Sequence, residues 1–108
     1  MALQVTEVGF EMVAAVRPVV ARIRQRDRSL ADQLVRAASS VALNIAEGDA
    51  SDAGNQRARF CTAAGSASES LAALRVAVAW GYLEAEEAAV SSSLLRRILA
   101  ILWKLQQR

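Results

Sequence analysis

Residues 29–48 read SLADQLVRAASSVALNIAEG and carry the clearest helical pattern in the chain. Apolar side chains recur in this stretch at steps of three and four residues: Leu30, Leu34, Ala37, Val41 and Ile45. That spacing places them on one face of an α-helix. Ser29 and Asp32 resemble a capping box before the apolar run, and Gly48 is the residue type that commonly closes a helix. We therefore predict a helix from about Leu30 to Glu47.

The same periodicity predicts three further helices. Helix one runs from Leu3 to Gln25, helix three runs from Asn55 to Trp80, and helix four begins near Glu84. The predicted core residues of helix one are Val5, Val8, Met12, Val13, Val16, Val20 and Ile23. Those of helix three are Phe60, Ala64, Ala67, Leu71, Leu74 and Val78, and those of helix four are Val90, Leu94, Ile98, Ile101 and Leu105. Abundant alanine and a single proline also favour helix over strand.

The predicted connections between these helices are short. A short connection cannot carry the chain to the far end of a helix pair, so consecutive helices are expected to run antiparallel. The predicted fold is all-α: an antiparallel up-down-up-down four-helix bundle that forms one domain over residues 1–108. The alternative is a helical hairpin pair that completes its core only on dimerisation.

Composition narrows the class of protein. Hydrophobic residues make up 54% of the 108-residue chain and charged residues 22%, which is typical of a globular protein and not of a disordered one. The single Cys61 excludes an intrachain disulfide, and no apolar run approaches the roughly 18–20 residues of a spanning helix. The first seven residues lack the features of a signal peptide. We expect a cytoplasmic protein without a membrane partner.

Helices three and four have more apolar surface than a bundle core requires. On a helical wheel, the side of helix three opposite its core stripe carries small and apolar residues, and helix four has apolar residues beside its stripe. One interpretation is that these are half-buried bundle residues. We prefer a subunit interface in a homo-oligomer, because tryptophan is enriched at contact cores and small residues admit a close helix. The candidate interface residues are Gly65, Val76, Trp80, Leu95, Leu99 and Trp103.

Helix two also carries a polar stripe beside its apolar one. Its members are spaced by three or four residues: Gln33, Arg36, Ser40, Asn44 and Glu47. Serine and asparagine are disfavoured in the middle of a helix. This predicts a partly buried polar network in which Arg36 pairs with Glu69 of helix three. The alternative is a solvated polar face.

The order of these motifs resembles a known family, the small four-helix-bundle proteins encoded in intervening sequences of bacterial 23S ribosomal RNA genes. The resemblance rests on the segments 33–38 (QLVRAA), 40–41 (SV), 44–48 (NIAEG), 65–69 (GSASE) and 81–83 (GYL), with Phe60 between them. It covers most of the chain from Leu30 to Leu83. The polar positions of the family motif are Gln33, Arg36, Ser40, Asn44, Glu47, Ser66 and Glu69.

The resemblance implies a ring-like homo-oligomer, with a pentamer favoured, and no established enzymatic activity. The fold also resembles that of the accessory protein of diversity-generating retroelements, a basic pentameric barrel that engages a reverse transcriptase and its RNA. The present chain is shorter and much less basic than that protein.

The residues themselves predict no enzyme. Histidine is absent, so a nucleophile–histidine pair and the usual nitrogen ligands of bundle metal sites cannot occur. Cys61 has no activating partner nearby in sequence and is interpreted as a small packing residue. We therefore expect no catalytic residue, no cofactor and no metal.

A nucleic-acid interface is the remaining candidate site. Arginines cluster at the end of helix one, and those proposed to contact phosphate are Arg22, Arg24, Arg26 and Arg28. Thirteen basic and eleven acidic residues give a net charge of only +2, and no aromatic residue lies among the arginines in sequence. A solvated helix end is the alternative. We predict a non-catalytic binding or scaffold protein with an RNA or protein partner; the alternative is weak, electrostatic RNA binding or a reverse-transcriptase accessory role.

Overall fold

The structure is a computed structural model that describes residues 2–107, with side chains from residue 4 onward. Its four α-helices are α1 (Ala2–Arg24), α2 (Arg28–Asp49), α3 (Ala53–Ala79) and α4 (Ala89–Gln106), and a short 3-10 helix, Ala85–Ala88, precedes α4. The described residues contain no β-strand. The predicted all-α class and the number of helices are confirmed, and the observed ends of the first three helices lie within two residues of the predicted ones.

The helices pack in a closed cycle. α1 and α3 each pack against both α2 and α4. The molecule measures 42 × 21 × 18 Å, and its long axis matches the roughly 40 Å expected for the 27-residue α3. The largest fully buried side chains come from all four helices: Met12, Ile23, Leu34, Ile45, Leu74, Leu95, Ile98 and Leu102. A single core therefore lies along the axis of the bundle.

The first turn of α2 is capped by Asp27 and not by Ser29. Asp27 has an extended backbone conformation, and its Oδ1 accepts a hydrogen bond of 2.9 Å from the backbone N–H of Leu30. Asp32, predicted to complete a capping box, instead binds Arg24 of α1. The predicted box was wrong because a better acceptor lies two residues earlier, in the connection itself.

Gly48 does not close α2 in a left-handed conformation. The helix continues to Asp49, and Gly81 is the one residue with positive φ among those described. Gly48 is buried against Phe60, where an added Cβ atom would lie 2.7 Å from Cε1 of the ring. Glycine is needed at this position because α3 approaches α2 too closely for a side chain.

The predicted inward faces of α3 and α4 are confirmed except at Val90, since the other predicted core residues are buried or packed half-buried against the core. Their observed buried residues are Phe60, Ala63, Ala67, Ser70, Ala73, Leu74 and Ala77 on α3, and Ser91, Leu95, Ile98 and Leu102 on α4. Val90, predicted in the core, is 65% exposed. Leu95 is fully buried, so its predicted role in a subunit contact is wrong. Apolar residues also lie beside the predicted stripe on each helix, so periodicity alone did not decide which of them are most deeply buried.

Candidate functional site

A polar seam joins the middle of α2 to α3. The Oγ atoms of Ser40 and Ser66 lie 2.8 Å apart, and Asn44 Nδ2 donates to the carbonyl and Oγ oxygens of Ser40 at 2.9 and 3.1 Å. Arg59 Nη1 donates to Asn44 Oδ1 at 3.4 Å and lies 3.0 Å from Glu47 Oε2. The seam therefore consists of Ser40, Asn44, Glu47, Arg59 and Ser66. Its polar groups satisfy one another across the helix pair, which permits serine and asparagine in mid-helix.

Three predicted members of this network lie outside the seam. Gln33, Arg36 and Glu69 are exposed, and no ion pair joins Arg36 to Glu69 in the described part of the chain. The predicted pair was wrong because both side chains lie on the solvent side of their helices. Arg59 takes the place of Arg36 as the cation of the network. Sequence reasoning missed it because Arg59 meets Glu47 only once the chain has reversed between α2 and α3.

The seam has the properties of a structural contact. Within residues 2–107, no group of three or more His, Cys, Asp or Glu side chains is placed to hold a metal ion. Cys61 is exposed, so the interpretation of it as a small packing residue is wrong within a single chain. The seam fixes the axial position of α2 relative to α3, because a shift along either helix would separate Ser40 from Ser66.

A second cluster lies at the end of the bundle where the α1–α2 and α3–α4 connections meet. The Tyr82 hydroxyl donates to Asp27 Oδ2 at 3.1 Å, and the Arg26 guanidinium lies 5.6 Å from the centroid of the Tyr82 ring. Trp80 stacks on the same tyrosine, with ring centroids 6.4 Å apart and an angle of 18° between the planes. We call Arg26, Trp80 and Tyr82 the aromatic platform. No aromatic residue lies among the arginines in sequence, but the fold brings Tyr82, with Trp80 stacked on it, beside Arg26.

Two of the four candidate arginines are engaged by carboxylates. Arg22 Nε lies 3.2 Å from Glu87 Oε2, and Arg24 Nη1 lies 2.6 Å from Asp32 Oδ1. The hydrogen bond and charge of Arg24 lower the pKa of Asp32. Arg28 is exposed and takes part in none of the ion pairs among the described residues. Arg26 and Arg28 are therefore the members of the predicted set that form no ion pair among the described residues.

The remaining interface candidates lie on the surface of α3 and α4. Trp80 and Trp103 are 67% and 63% exposed, Val76 is also exposed, and Leu99 is half-buried against the core. A Cβ atom added at Gly65 would meet nothing within 4 Å. These residues are placed where a neighbouring molecule could reach them, with Leu99 the least accessible.

Sequence reasoning missed a further apolar surface on α1 and α2. Val13 and Val35 line a groove of about 380 Å³ between the two helices. Phe10 and Leu43, one turn beyond the groove lining on α1 and α2, are exposed. Val13 was assigned to the core stripe of helix one, and Phe10, Val35 and Leu43 were assigned no role. A helical wheel drawn for each helix separately does not show a surface shared by two helices.

Among residues 2–107, none of the helices combines the length and the hydropathy that a membrane-spanning helix needs.

No curated protein matches the chain. A solved structure matches it closely in fold: a protein with unknown function from the S23 ribosomal protein family of Bacteroides thetaiotaomicron VPI-5482, with a TM-score of 0.89 and 15% sequence identity. The superposition covers 96% of this chain and 99% of that one. The model of the 23S rRNA-intervening sequence protein family matches residues 1–104. Because that match spans nearly the whole sequence, the chain belongs to the 23S rRNA-intervening sequence protein family.

Proposed function

We propose that the protein is a non-catalytic helical bundle that assembles with copies of itself and serves as a binding scaffold. The observation that carries this proposal is the outer face of α3. One stripe of its exposed residues recurs at helical spacing and is small or apolar: Ala58, Cys61, Gly65, Ala72, Val76 and Ala79. Charged residues, Arg57, Glu69 and Arg75, border this stripe. An exposed stripe of this kind with a polar rim is typical of a contact surface.

A ring of identical subunits requires two unlike faces that fit each other. The α1–α2 groove, with Phe10 and Leu43 beside it, supplies an apolar surface different from that of α3. The outer face of α3 and the exposed Trp103 of α4 supply the other. Trp80 lies one turn beyond Val76, at the end of the bundle, where its ring stacks on Tyr82 and is 67% exposed, so its place in a subunit contact stays a prediction.

Charges beside the two faces favour a second copy of the chain as the partner. Glu7 and Glu11 lie on α1 next to Phe10, while Arg57 and Arg75 lie on α3 next to its apolar face. All four are exposed, and none belongs to an ion pair among residues 4–107. Arg17 lies at the edge of the α1–α2 groove, so the complementarity is partial. Opposite charges on the two sides would orient the subunits head to tail.

The up-down-up-down topology belongs to the same proposal. Gly48 near the end of α2 lies against Phe60 near the start of α3, whereas Ser40 lies against Ser66. Arg24 at the end of α1 likewise binds Asp32 at the start of α2. These contacts support antiparallel neighbours. The family resemblance adds the expectation of a pentamer.

Light scattering with size-exclusion chromatography tests the assembly. Five copies of the 11.6 kDa chain have a mass of about 58 kDa. Val76→Glu on the α3 face and Val35→Glu in the groove should each lower the mass, because a buried unpaired charge opposes association. Ser93→Glu adds the same charge to an exposed position of α4 outside both faces and should leave the mass unchanged. A wild-type protein that stays monomeric at every concentration would refute the proposal.

A further inference from the structure

The aromatic platform is an exposed surface at one end of the bundle. Trp80 is two-thirds exposed, and its ring stacks on that of Tyr82. The Arg26 guanidinium lies over the Tyr82 ring. The three side chains come from the two connections at one end of the bundle. An exposed tryptophan held in this way presents a flat, apolar ring to solvent beside a positive charge.

The platform is held rigidly by the backbone around it. Gly81, with φ of +80°, ends α3 in a left-handed turn, and its N–H donates to the carbonyl of Val78 at 3.0 Å. The N–H of Tyr82 donates to the carbonyl of Ala77 at 2.9 Å, which completes the turn. Asp27, fixed as the N-cap of α2, accepts the tyrosine hydroxyl. The rings therefore lose little freedom when a ligand binds, which favours affinity.

The charges around the platform are mostly neutralised. Glu87 is bound by Arg22, and the ion pair of Arg24 with Asp32 lies nearby, so Arg26 and Arg28 remain without a carboxylate partner in the described structure. Glu84 and Glu86 are exposed in the following segment. Long-range attraction of a polyanion is therefore weak here, and ring stacking has to supply most of the affinity.

A ligand that fits these features has flat rings to stack on Trp80 and phosphates within reach of two arginines. Unpaired nucleotides have both, since every base offers a ring face and every nucleotide a phosphate. A duplex hides its base faces inside the helix, and unpaired bases are displayed chiefly by the loops and bulges of RNA. We propose that the aromatic platform binds unpaired RNA, with a base stacked on Trp80 and phosphates near Arg26 and Arg28. This proposal does not depend on self-assembly.

Stacking and two phosphate contacts set the expected magnitudes. Loss of one stacked base should weaken binding by about tenfold or more. Two phosphate contacts give a slope of about −1.4 for log K against log salt, so affinity should fall only about sevenfold between 50 and 200 mM salt. This is shallower than the salt dependence expected if all four arginines of the cluster contacted phosphate.

The experiment uses the Trp103→Phe variant, in which Trp80 is the one remaining tryptophan. A single-stranded 12-residue oligouridine should quench its fluorescence, and a perfectly paired RNA duplex should quench it far less. Anisotropy of the labelled oligonucleotide measures affinity in the otherwise native chain. Trp80→Ala should reduce that affinity about tenfold or more, whereas Trp80→Phe, which keeps a ring, should stay within about threefold of the wild type. Arg26→Gln should make the salt slope shallower by about 0.7.

Ser93→Ala is the control, since this exposed position of α4 lies outside the platform and outside both assembly faces, and it should leave RNA affinity unchanged. Absence of quenching at low salt would overturn the proposal, and so would full affinity in Trp80→Ala. The mass of each variant distinguishes an RNA surface from a protein contact. If Trp80→Ala dissociates the assembly, the platform is covered by another copy of the chain and the inference is wrong, while self-assembly itself would be supported.

Discussion

Replacing Gly48 by alanine tests how closely α2 and α3 pack. The added Cβ atom would lie 2.7 and 2.8 Å from Cε1 and Cδ1 of Phe60, and 3.1 Å from Cβ of Arg59. Carbon atoms in contact normally lie about 3.5–4.0 Å apart, so the ring or the helix has to move by about 1 Å. The Phe60 ring is buried and lines a cavity of about 210 Å³, so it has limited room to shift.

Two opposing effects determine the result. Overpacking of a tight core contact costs about 1–3 kcal/mol, whereas alanine in place of glycine favours the helix by up to about 1 kcal/mol. We expect Gly48→Ala to lower the free energy of unfolding by about 1 kcal/mol. For a domain of this size, that corresponds to a Tm lower by about 4–8 °C.

Thermal and urea unfolding followed by circular dichroism measure this change. Gly65→Ala is the matched control, because the same substitution in α3 meets nothing within 4 Å and should raise stability. Phe60→Leu combined with Gly48→Ala should recover part of the loss by shortening the opposing side chain. All variants are compared at one concentration in the Val76→Glu background, since assembly would make Tm depend on concentration. Equal stabilisation by Gly48→Ala and Gly65→Ala would refute the packing argument.

Three further changes address other contacts. Asp27→Ala removes the N-cap of α2 and the hydrogen bond to the tyrosine, and should lower stability by about 1–2 kcal/mol in urea, whereas Asp27→Asn should retain most of the cap. Ser40→Ala and Ser66→Ala should couple by about 0.5–1 kcal/mol in a double-mutant cycle, and strictly additive effects would argue against their hydrogen bond. Because Arg24 lowers the pKa of Asp32, stability from this pair is present above the unfolded pKa and is lost as pH falls below about 4. Asp32→Asn should flatten the stability profile in that acid range, and an unchanged profile would contradict the assignment.

The helices could be predicted from sequence because their apolar periodicity is strong and their ends are polar. α2 was the clearest case, since its apolar stripe and its polar stripe lie on different sides of the helix. The exact rotation of α3 and α4 could not be predicted in the same way. Leu95 was expected in a subunit contact and is buried, while Val90 was expected in the core and is exposed. Packing of the neighbouring helices selects which of two adjacent apolar stripes is buried, and a single helix does not contain that information.

The candidate sites were predicted in part. Ser40 and Asn44 were recognised because polar residues in mid-helix require partners, and Ser66 was named through the family resemblance. Arg59 was not assigned to their network, and Tyr82 was noted only as part of the segment 81–83. Each depends on contact between segments that are distant in the chain, and such contacts follow from the three-dimensional packing of the helices. Arg36 was chosen instead of Arg59 because spacing along one helix was the sole guide.

The hydrogen bond between Tyr82 and Asp27 has a consequence for the kinetics of folding. It joins residues 55 positions apart, whereas contacts between consecutive helices span shorter lengths of chain. Contacts that close longer loops cost more chain entropy and tend to form after local ones. We therefore expect this bond to be absent from the transition state for folding. An interaction of that kind slows unfolding and leaves the folding rate nearly unchanged, so it lengthens the lifetime of the folded chain.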